Sequence, residues 1–173
     1  AEVSACSSRS LRGGFAWETV ERVRKLWPRP LIVKGIIHPD DAMRALALGA
    51  DGIVVSNHGG RTLDAAPAAI DILPAVVERV AGKLTVLMDS GIRTGLDVVR
   101  ALALGAKCVL AGRPFLFAVA ALGDKGGTHA LEFFSEEIRM AMGQVGARTL
   151  AALPQTTVLH PGAVKLPFSG ANA

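Results

Sequence analysis

The sequence has 173 residues, of which 50% are hydrophobic and 20% are charged, so it can bury the core of one domain. This composition excludes a disordered chain, and glycine, proline or charge interrupts every apolar run before it reaches the roughly 18–20 residues of a membrane-spanning helix. The net charge of +4, without a basic stripe interleaved with aromatic residues, argues against nucleic-acid binding and leaves small anionic ligands as candidates.

The first residues contain neither a methionine nor the basic and apolar regions of a signal peptide. We therefore expect that residue 1 is not the natural start of the chain. Cys6 and Cys108 are expected to be free thiols in a reducing compartment. No metal site is expected.

Four apolar strands alternate with helices along the chain. The pattern predicts helices over 17–26, 42–48, 68–80, 94–104 and 128–145, with a short one from Pro114, and strands over 31–33, 51–56, 84–88 and 107–111. The helix over 128–145 is expected to bury one face, made of Leu131, Phe134, Ile138, Ala141 and Val145. Strands that are apolar on both faces and alternate with helices are typical of a parallel sheet, so the fold class is α/β.

A sequence repeat relates the two halves of this pattern. The segment 44–50 recurs identically at 100–106, and Gly35-Ile36 and Asp41 match Gly91-Ile92 and Asp97 in the same register. Repeated βα units fit a (β/α)8 barrel or a doubly wound sheet. The barrel is favoured, because barrels carry catalytic groups at the carboxyl ends of strands and all four strands here end in polar residues or glycine.

Four βα units make only half of a closed barrel of about 250 residues. The missing half would come from upstream sequence or from another chain. We predict a half-barrel over residues 15–150, preceded by a loop or linker over 1–14 and followed by a tail over 151–173.

Two strand ends are suited to binding a phosphate. Ser90-Gly91 allows close backbone approach, and Gly112-Arg113 before Pro114 offers a helix N-terminus and a guanidinium group. Arg93 adds a second cation. In barrels the loops after the last two strands commonly bind phosphate, so these ends are predicted to do so.

The other two strand ends carry groups for acid–base chemistry. His58 follows a buried strand between Asn57 and Gly59, where it could act as a general base, and Arg61 could hold a carboxylate with its two-pronged guanidinium group. Asp89 could orient His58. Lys34 could form a Schiff base or stand as a cation beside an electron-rich cofactor.

Four motifs together resemble one family. They are Val33-Lys34-Gly35, the stretch 51–64, the stretch 89–95 and Gly112-Arg113. Their order and spacing resemble the FMN-dependent 2-hydroxy-acid dehydrogenases and oxidases, and Ser-Asn-His-Gly-Gly-Arg at 56–61 is the most specific of them. The resemblance implies the C-terminal half, strands five to eight, of a (β/α)8 TIM barrel. Asp-Ser-Gly at 89–91 is most similar to the bacterial lactate and mandelate dehydrogenase branch.

The resemblance also implies a cofactor, FMN, and a role for each site residue. His58 would be the base with Asp89 as its partner, and Arg61 would hold the substrate carboxylate. The FMN-binding residues would be Lys34, Ser56, Asp89, Ser90, Gly91, Ile92, Arg93, Gly112 and Arg113. The family's first four strands and its substrate-binding tyrosines have no counterpart here, so the segment alone is expected to be inactive.

The implied reaction is oxidation of an (S)-2-hydroxy acid, with L-lactate the first choice, to the 2-keto acid. Mandelate dehydrogenase or a glycolate-type oxidase of the same family is the near alternative. A phosphate-binding aldolase with a Schiff base at Lys34, or a non-catalytic half-barrel that needs a partner chain, would be a different class. The electron acceptor could be a quinone, a cytochrome or oxygen. The parent protein is expected to be a homo-oligomer in the cytoplasm, or peripheral on the inner membrane through a segment outside this chain.

Overall fold

The structure, a computed structural model, describes residues 16–155. Its strands are β1 (Ile32–Ile36), β2 (Gly52–Val55), β3 (Thr85–Met88) and β4 (Cys108–Val109). Its helices are α1 (Trp17–Leu26), α2 (Pro39–Ala47), α3 (Ala69–Val80), α4 (Gly95–Ala103), α5 (Arg113–Leu122) and α6 (Gly126–Gln144). Short 3-10 turns lie at His58–Gly60, Gly123–Lys125 and Leu150–Gln155. No helix in this part of the chain is both long and apolar enough to cross a membrane.

The strands form one parallel sheet in the order β1-β2-β3-β4, so each strand lies beside the next strand in the sequence. A doubly wound sheet would reverse its strand order at a switch point, and this sheet does not. An unreversed order of βα units is the order of a barrel wall. The topology therefore confirms the α/β class and agrees with the expected half of a (β/α)8 barrel.

The core lies between β2, β3 and the helices that cover them. All four residues of β2 are buried, and Ile72, Leu73 and Val76 of α3 are fully enclosed. Strands buried on both faces are apolar throughout, which explains the uninterrupted run in β2. The outer strands are less covered: Ile32 of β1 is 49% exposed, and Cys108 of β4 is exposed with a free thiol. Cys6 lies outside the described residues.

The sequence repeat produces the same turn twice. In each copy the glycine, Gly49 or Gly105, adopts a positive φ, +81° and +104° respectively. Both turns close with the same backbone hydrogen bonds, such as Ala50 N–H to the Ala45 carbonyl and Ala106 N–H to the Ala101 carbonyl. A left-handed glycine of this kind ends a helix and sends the chain into the next strand.

Local signals located the helix starts within a few residues. The spacing of Thr94 and Asp97 predicts a capping box, and the two residues form one at the start of α4. The His38 side chain accepts a hydrogen bond from the Asp40 N–H at the start of α2. Helix α2 begins at Pro39, earlier than predicted, because proline fits the first turn of a helix.

Two predictions were right only in part. Phe134 of the predicted face of α6 is buried, and Ile138 and Ala141 pack against the core. Leu131 is 59% exposed and Val145 is 40% exposed, whereas Ala130 is buried, so α6 is rotated relative to the expected apolar face. Close approach to α5 fixes that rotation, because a Cβ at Gly126 would lie 2.3 Å from the Ala118 carbonyl oxygen. Strand β4 has two residues, fewer than the predicted 107–111, and in the described part of the chain it pairs only with β3.

Candidate functional site

The carboxyl ends of the four strands meet around one cavity of about 390 Å³. The sequence-predicted residues that line it are Lys34, His58, Arg61, Asp89, Ser90, Gly91, Ile92, Arg93, Gly112 and Arg113. Ser56, the remaining predicted residue, is 2% exposed and lies directly beneath, in contact with Lys34. The sheet therefore brings together every site residue that the sequence predicted, although Lys34 lies within β1 and not after its end as the predicted strand 31–33 implied.

An ion pair stands at the centre of this cavity. Lys34 Nζ lies 2.7 Å from Asp89 Oδ2 and donates a hydrogen bond of 2.9 Å to Ser56 Oγ. Burial alone would raise the pKa of Asp89, but hydrogen bonds from Lys34, Ser56 and Ser90, together with the Lys34 charge, hold that pKa below its ordinary value. Asp89 is therefore a carboxylate at neutral pH, and it pairs with a cation on β1, across the end of the intervening strand β2.

His58 lies on a left-handed turn that needs its two glycines. The φ angles of His58, Gly59 and Gly60 are +56°, +68° and +73°. A Cβ at Gly60 would lie 2.8 Å from Asp64 Oδ1, and one at Gly59 would lie 3.0 Å from the Arg113 guanidinium. Positive φ and the absence of space both favour glycine, which explains the His-Gly-Gly sequence physically.

Hydrogen bonds tie this turn to its surroundings. The His58 N–H donates to Ser56 Oγ at 3.1 Å, and Asn57 Oδ1 accepts from the Gly59 N–H at 3.0 Å. The Asn57 side-chain amide also donates to the Pro67 carbonyl. Sequence reasoning did not give Asn57 this role, although asparagine commonly caps its own turn in this way.

The expected contact between Asp89 and His58 is not formed. Within residues 16–155, the side-chain partners of Asp89 are Lys34, Ser56 and Ser90. A charged ammonium group compensates the desolvation of a carboxylate better than a neutral imidazole does, which favours Lys34 as the partner. The His58 ring belongs to an exposed residue at the cavity mouth.

The strand ends of β3 and β4 offer groups for an anion. Helix α5 begins at Arg113 with Pro114 in its first turn, and Gly112 before it provides no side-chain cap, which leaves N–H groups at the helix start. Space is open where a Cβ would stand at Gly91 and at Gly112. Ile92 lines the same cavity with a side chain that is mostly buried.

The charges of the cavity lining also favour an anion. Four cationic side chains, Lys34, Arg61, Arg93 and Arg113, face one carboxylate, Asp89. Guanidinium groups and free helix N–H groups are the donors that a phosphate prefers. The residues present therefore fit a cofactor that bears a phosphate group. No group of three acidic, histidine or cysteine side chains in the described part of the chain is placed to hold a metal ion.

A family model described as FMN-dependent dehydrogenase matches residues 1–160. The chain belongs to this family. Membership confirms the resemblance that the strand-end motifs indicated, and it makes FMN the family's cofactor. In this chain, the Ser56–Arg61 turn and the cationic residues after β3 and β4 line the cavity where family membership leads us to expect FMN and its substrate.

Similar proteins narrow the comparison within the FMN-dependent dehydrogenases. L-lactate dehydrogenase from Chromohalobacter salexigens is 50% identical over 139 residues, which cover 80% of this chain and 36% of that protein. L-lactate dehydrogenase from Pseudomonas aeruginosa is also 50% identical, over 84% of this chain and 38% of its own length. The chain thus spans little more than a third of the length of these relatives.

Solved structures agree with the half-barrel. A crystal structure of mandelate oxidase with 3,3-difluoro-2-hydroxy-3-phenylpropionic acid matches with a TM-score of 0.79 and 48% identity, over 82% of this chain and 43% of that one. A mandelate oxidase mutant with a monooxide FMN adduct matches with the same TM-score and identity, over 45% of its chain. The four described strands therefore correspond to part of the fold of these oxidases, of which the chain covers less than half.

Proposed function

We propose that this chain supplies the C-terminal half of a barrel enzyme that oxidises an (S)-2-hydroxy acid, L-lactate first, to the 2-keto acid with FMN. The observation that carries the proposal is the Ser56–Arg61 turn, which presents His58 and Arg61 to the cavity that also holds the Lys34–Asp89 pair. Relatives named L-lactate dehydrogenase, at about half identity, support this choice of substrate.

Each residue of the cavity has a role in this proposal. Arg61 binds the substrate carboxylate through two parallel hydrogen bonds, and His58 accepts the proton of the substrate hydroxyl at a ring nitrogen. The oxidation also removes the hydrogen on the hydroxyl-bearing carbon together with two electrons, and a bound FMN would supply the two-electron oxidant. Lys34 provides a positive charge that stabilises an electron-rich ring beside it, and its pairing with Asp89 fixes the position of that charge. Arg93, Arg113 and the start of α5 hold the phosphate.

Mandelate oxidation is the second candidate, because mandelate oxidases are the solved structures that match this chain at 48% identity. The cavity does not discriminate between the two substrates, since it is open where the other half of a barrel would stand. Side chains from that half would surround the substituent that distinguishes lactate from mandelate. A direct comparison of both acids therefore belongs in the test.

Activity requires the rest of the barrel in this proposal. Within the described residues β1 pairs only with β2 and β4 pairs only with β3, so each outer strand has one unpaired edge. We define the closed-barrel enzyme as this chain preceded by the upstream part of the barrel that its relatives possess. The closed-barrel enzyme is the active form, and the 173-residue chain alone is expected neither to retain FMN firmly nor to turn over.

An absorbance spectrum of the purified closed-barrel enzyme tests the proposal. We expect the bands of oxidised flavin and their anaerobic bleaching by L-lactate, with (S)-mandelate and glycolate as comparisons. Faster bleaching by mandelate would move the choice to the second candidate. A colourless protein, or flavin that stays oxidised with every 2-hydroxy acid, would refute the proposal.

Borohydride trapping of a substrate on Lys34 would instead indicate a Schiff-base aldolase. Returning oxidant to the bleached enzyme, as oxygen, a quinone or a cytochrome, identifies the electron acceptor.

A further inference from the structure

Ser90 adopts a backbone conformation that a residue with a side chain rarely takes. Its φ is +73°, and it is followed by Gly91 at +81°. Within residues 16–155 only three residues other than glycine have a positive φ, and His58 is another of them. Such strain persists only where the surroundings enforce it, and it is concentrated at functional sites. The contacts of the Ser90 hydroxyl show what enforces it here.

The Ser90 hydroxyl bridges the ion pair and the His58 turn. Ser90 Oγ donates to Asp89 Oδ1 at 2.8 Å and accepts from the Gly59 N–H at 3.0 Å. Ionised Asp89 can only accept a hydrogen bond, and a backbone N–H can only donate one. The position therefore needs a group that does both, and neither a glycine nor an alanine side chain can replace it.

The bridged peptide is the one that follows His58. In the next peptide, the Gly59 carbonyl accepts a hydrogen bond of 2.5 Å from Arg113 Nη2 at the start of α5. The turn is thus held between the ends of β3 and β4. The contact through Ser90 leads directly to Asp89, and it adds to the link that Ser56 makes between the His58 N–H and the same ion pair.

We propose that Ser90 is a positioning residue, whose hydroxyl sets the orientation of the His58 turn relative to the Lys34–Asp89 pair. This inference rests on the proposed function, in which His58 accepts the substrate proton. Misplacing a reacting group by about 1 Å can cost roughly 100-fold in rate, so one hydrogen bond that fixes a turn has a measurable kinetic effect. Arg61 is not bonded to Ser90 in the structure, so substrate binding is affected less than the rate.

Two substitutions at this position separate the hydroxyl from the backbone. Ser90→Gly removes the hydroxyl and relieves the left-handed strain, whereas Ser90→Ala removes the hydroxyl and keeps a Cβ at positive φ. Ser135→Ala, at an exposed position on α6, is the matched control for loss of a hydroxyl. In the closed-barrel enzyme we expect both Ser90 variants to retain FMN and to lower the limiting rate of anaerobic flavin reduction by about 10-fold or more. The substrate concentration at half-maximal rate should change by less than about 3-fold.

A second measurement does not depend on activity. In both Ser90 variants the Gly59 N–H keeps only one of its two acceptors, Asn57 Oδ1. In the flavin-free closed-barrel enzyme, its hydrogen exchange followed by NMR should therefore be faster than in the wild type and in Ser135→Ala. Equal exchange in all four proteins would overturn the bridge. The positioning role would be overturned if the flavin of both Ser90 variants were reduced at the wild-type rate. It would also be overturned if only Ser90→Ala slowed flavin reduction, or if both variants lost FMN. A wild-type flavin that no 2-hydroxy acid reduces would instead refute the proposed function itself.

Discussion

Removing the Lys34 charge should expose how strongly the central ion pair stabilises the site. Lys34→Met deletes the ammonium group and keeps an unbranched side chain of similar length. At 2.7 Å and an effective dielectric constant of about 20, the pair attracts by about 6 kcal/mol. The Lys34 side chain is 42% exposed and the Asp89 side chain 17% exposed, so solvent screening and desolvation reduce this attraction. We expect a net loss of about 1–3 kcal/mol in the free energy of unfolding.

Urea unfolding of the flavin-free closed-barrel enzyme measures this loss, and a double-mutant cycle with Asp89→Asn isolates the pair. The sign of the pH dependence follows from the lowered pKa of Asp89. A carboxyl whose pKa is lower when folded contributes stability above its unfolded pKa and loses it as the pH falls through the folded pKa. The difference between wild type and Lys34→Met should therefore be full at pH 7 and should shrink below the ordinary carboxyl pKa of 3.8. A coupling energy indistinguishable from zero at pH 7 would refute the ion pair.

Three further substitutions test the His58 turn and its neighbours. His58→Gln should retain FMN and lower the rate of flavin reduction by L-lactate by about 100-fold or more, measured by stopped-flow absorbance, and a normal rate would exclude His58 as the base. Arg61→Lys should mainly raise the substrate concentration at half-maximal rate, about 10-fold, because a point charge replaces a two-pronged donor; a fall in rate alone would contradict that role. Gly60→Ala should lower stability by about 1–3 kcal/mol in thermal unfolding, because it places a Cβ on a residue whose φ is +73°. Gly127→Ala, where a Cβ meets nothing within 4 Å, is its control and should not destabilise.

The sequence predicted the features that depend on neighbours along the chain. The Thr94–Asp97 capping box and the paired glycine turns all formed where the local pattern placed them. The order of strands also followed, because parallel strands joined by short helices lie beside one another. The sequence therefore predicted the half-barrel and the gathering of the site residues on one side of its sheet.

Features that depend on distant packing were not readable. The face that α6 buries depends on how closely Gly126 approaches α5, which no spacing within α6 reveals. The partner of Asp89 depends on whether Lys34 or His58 reaches it. Lys34 lies within β1 and His58 follows β2, and both line the same cavity as Asp89. The hydrogen bond between Ser90 and Gly59 could not be predicted either, because it joins two turns that are 31 residues apart in the sequence.

The two strands that follow the identical glycine turns begin in the same way but end in different loops. At the amino ends of β2 and β4, the same seven residues form the same backbone hydrogen bonds. At the carboxyl ends, the equivalent positions Ser56 and Gly112 lead into different loops, one with the His58 turn and one with the start of α5. The loops after β2 and β4 can therefore differ while the turns before these strands stay identical. The two different loops thus bring the proposed base, His58, and the proposed anion-binding group, Arg113, to one cavity.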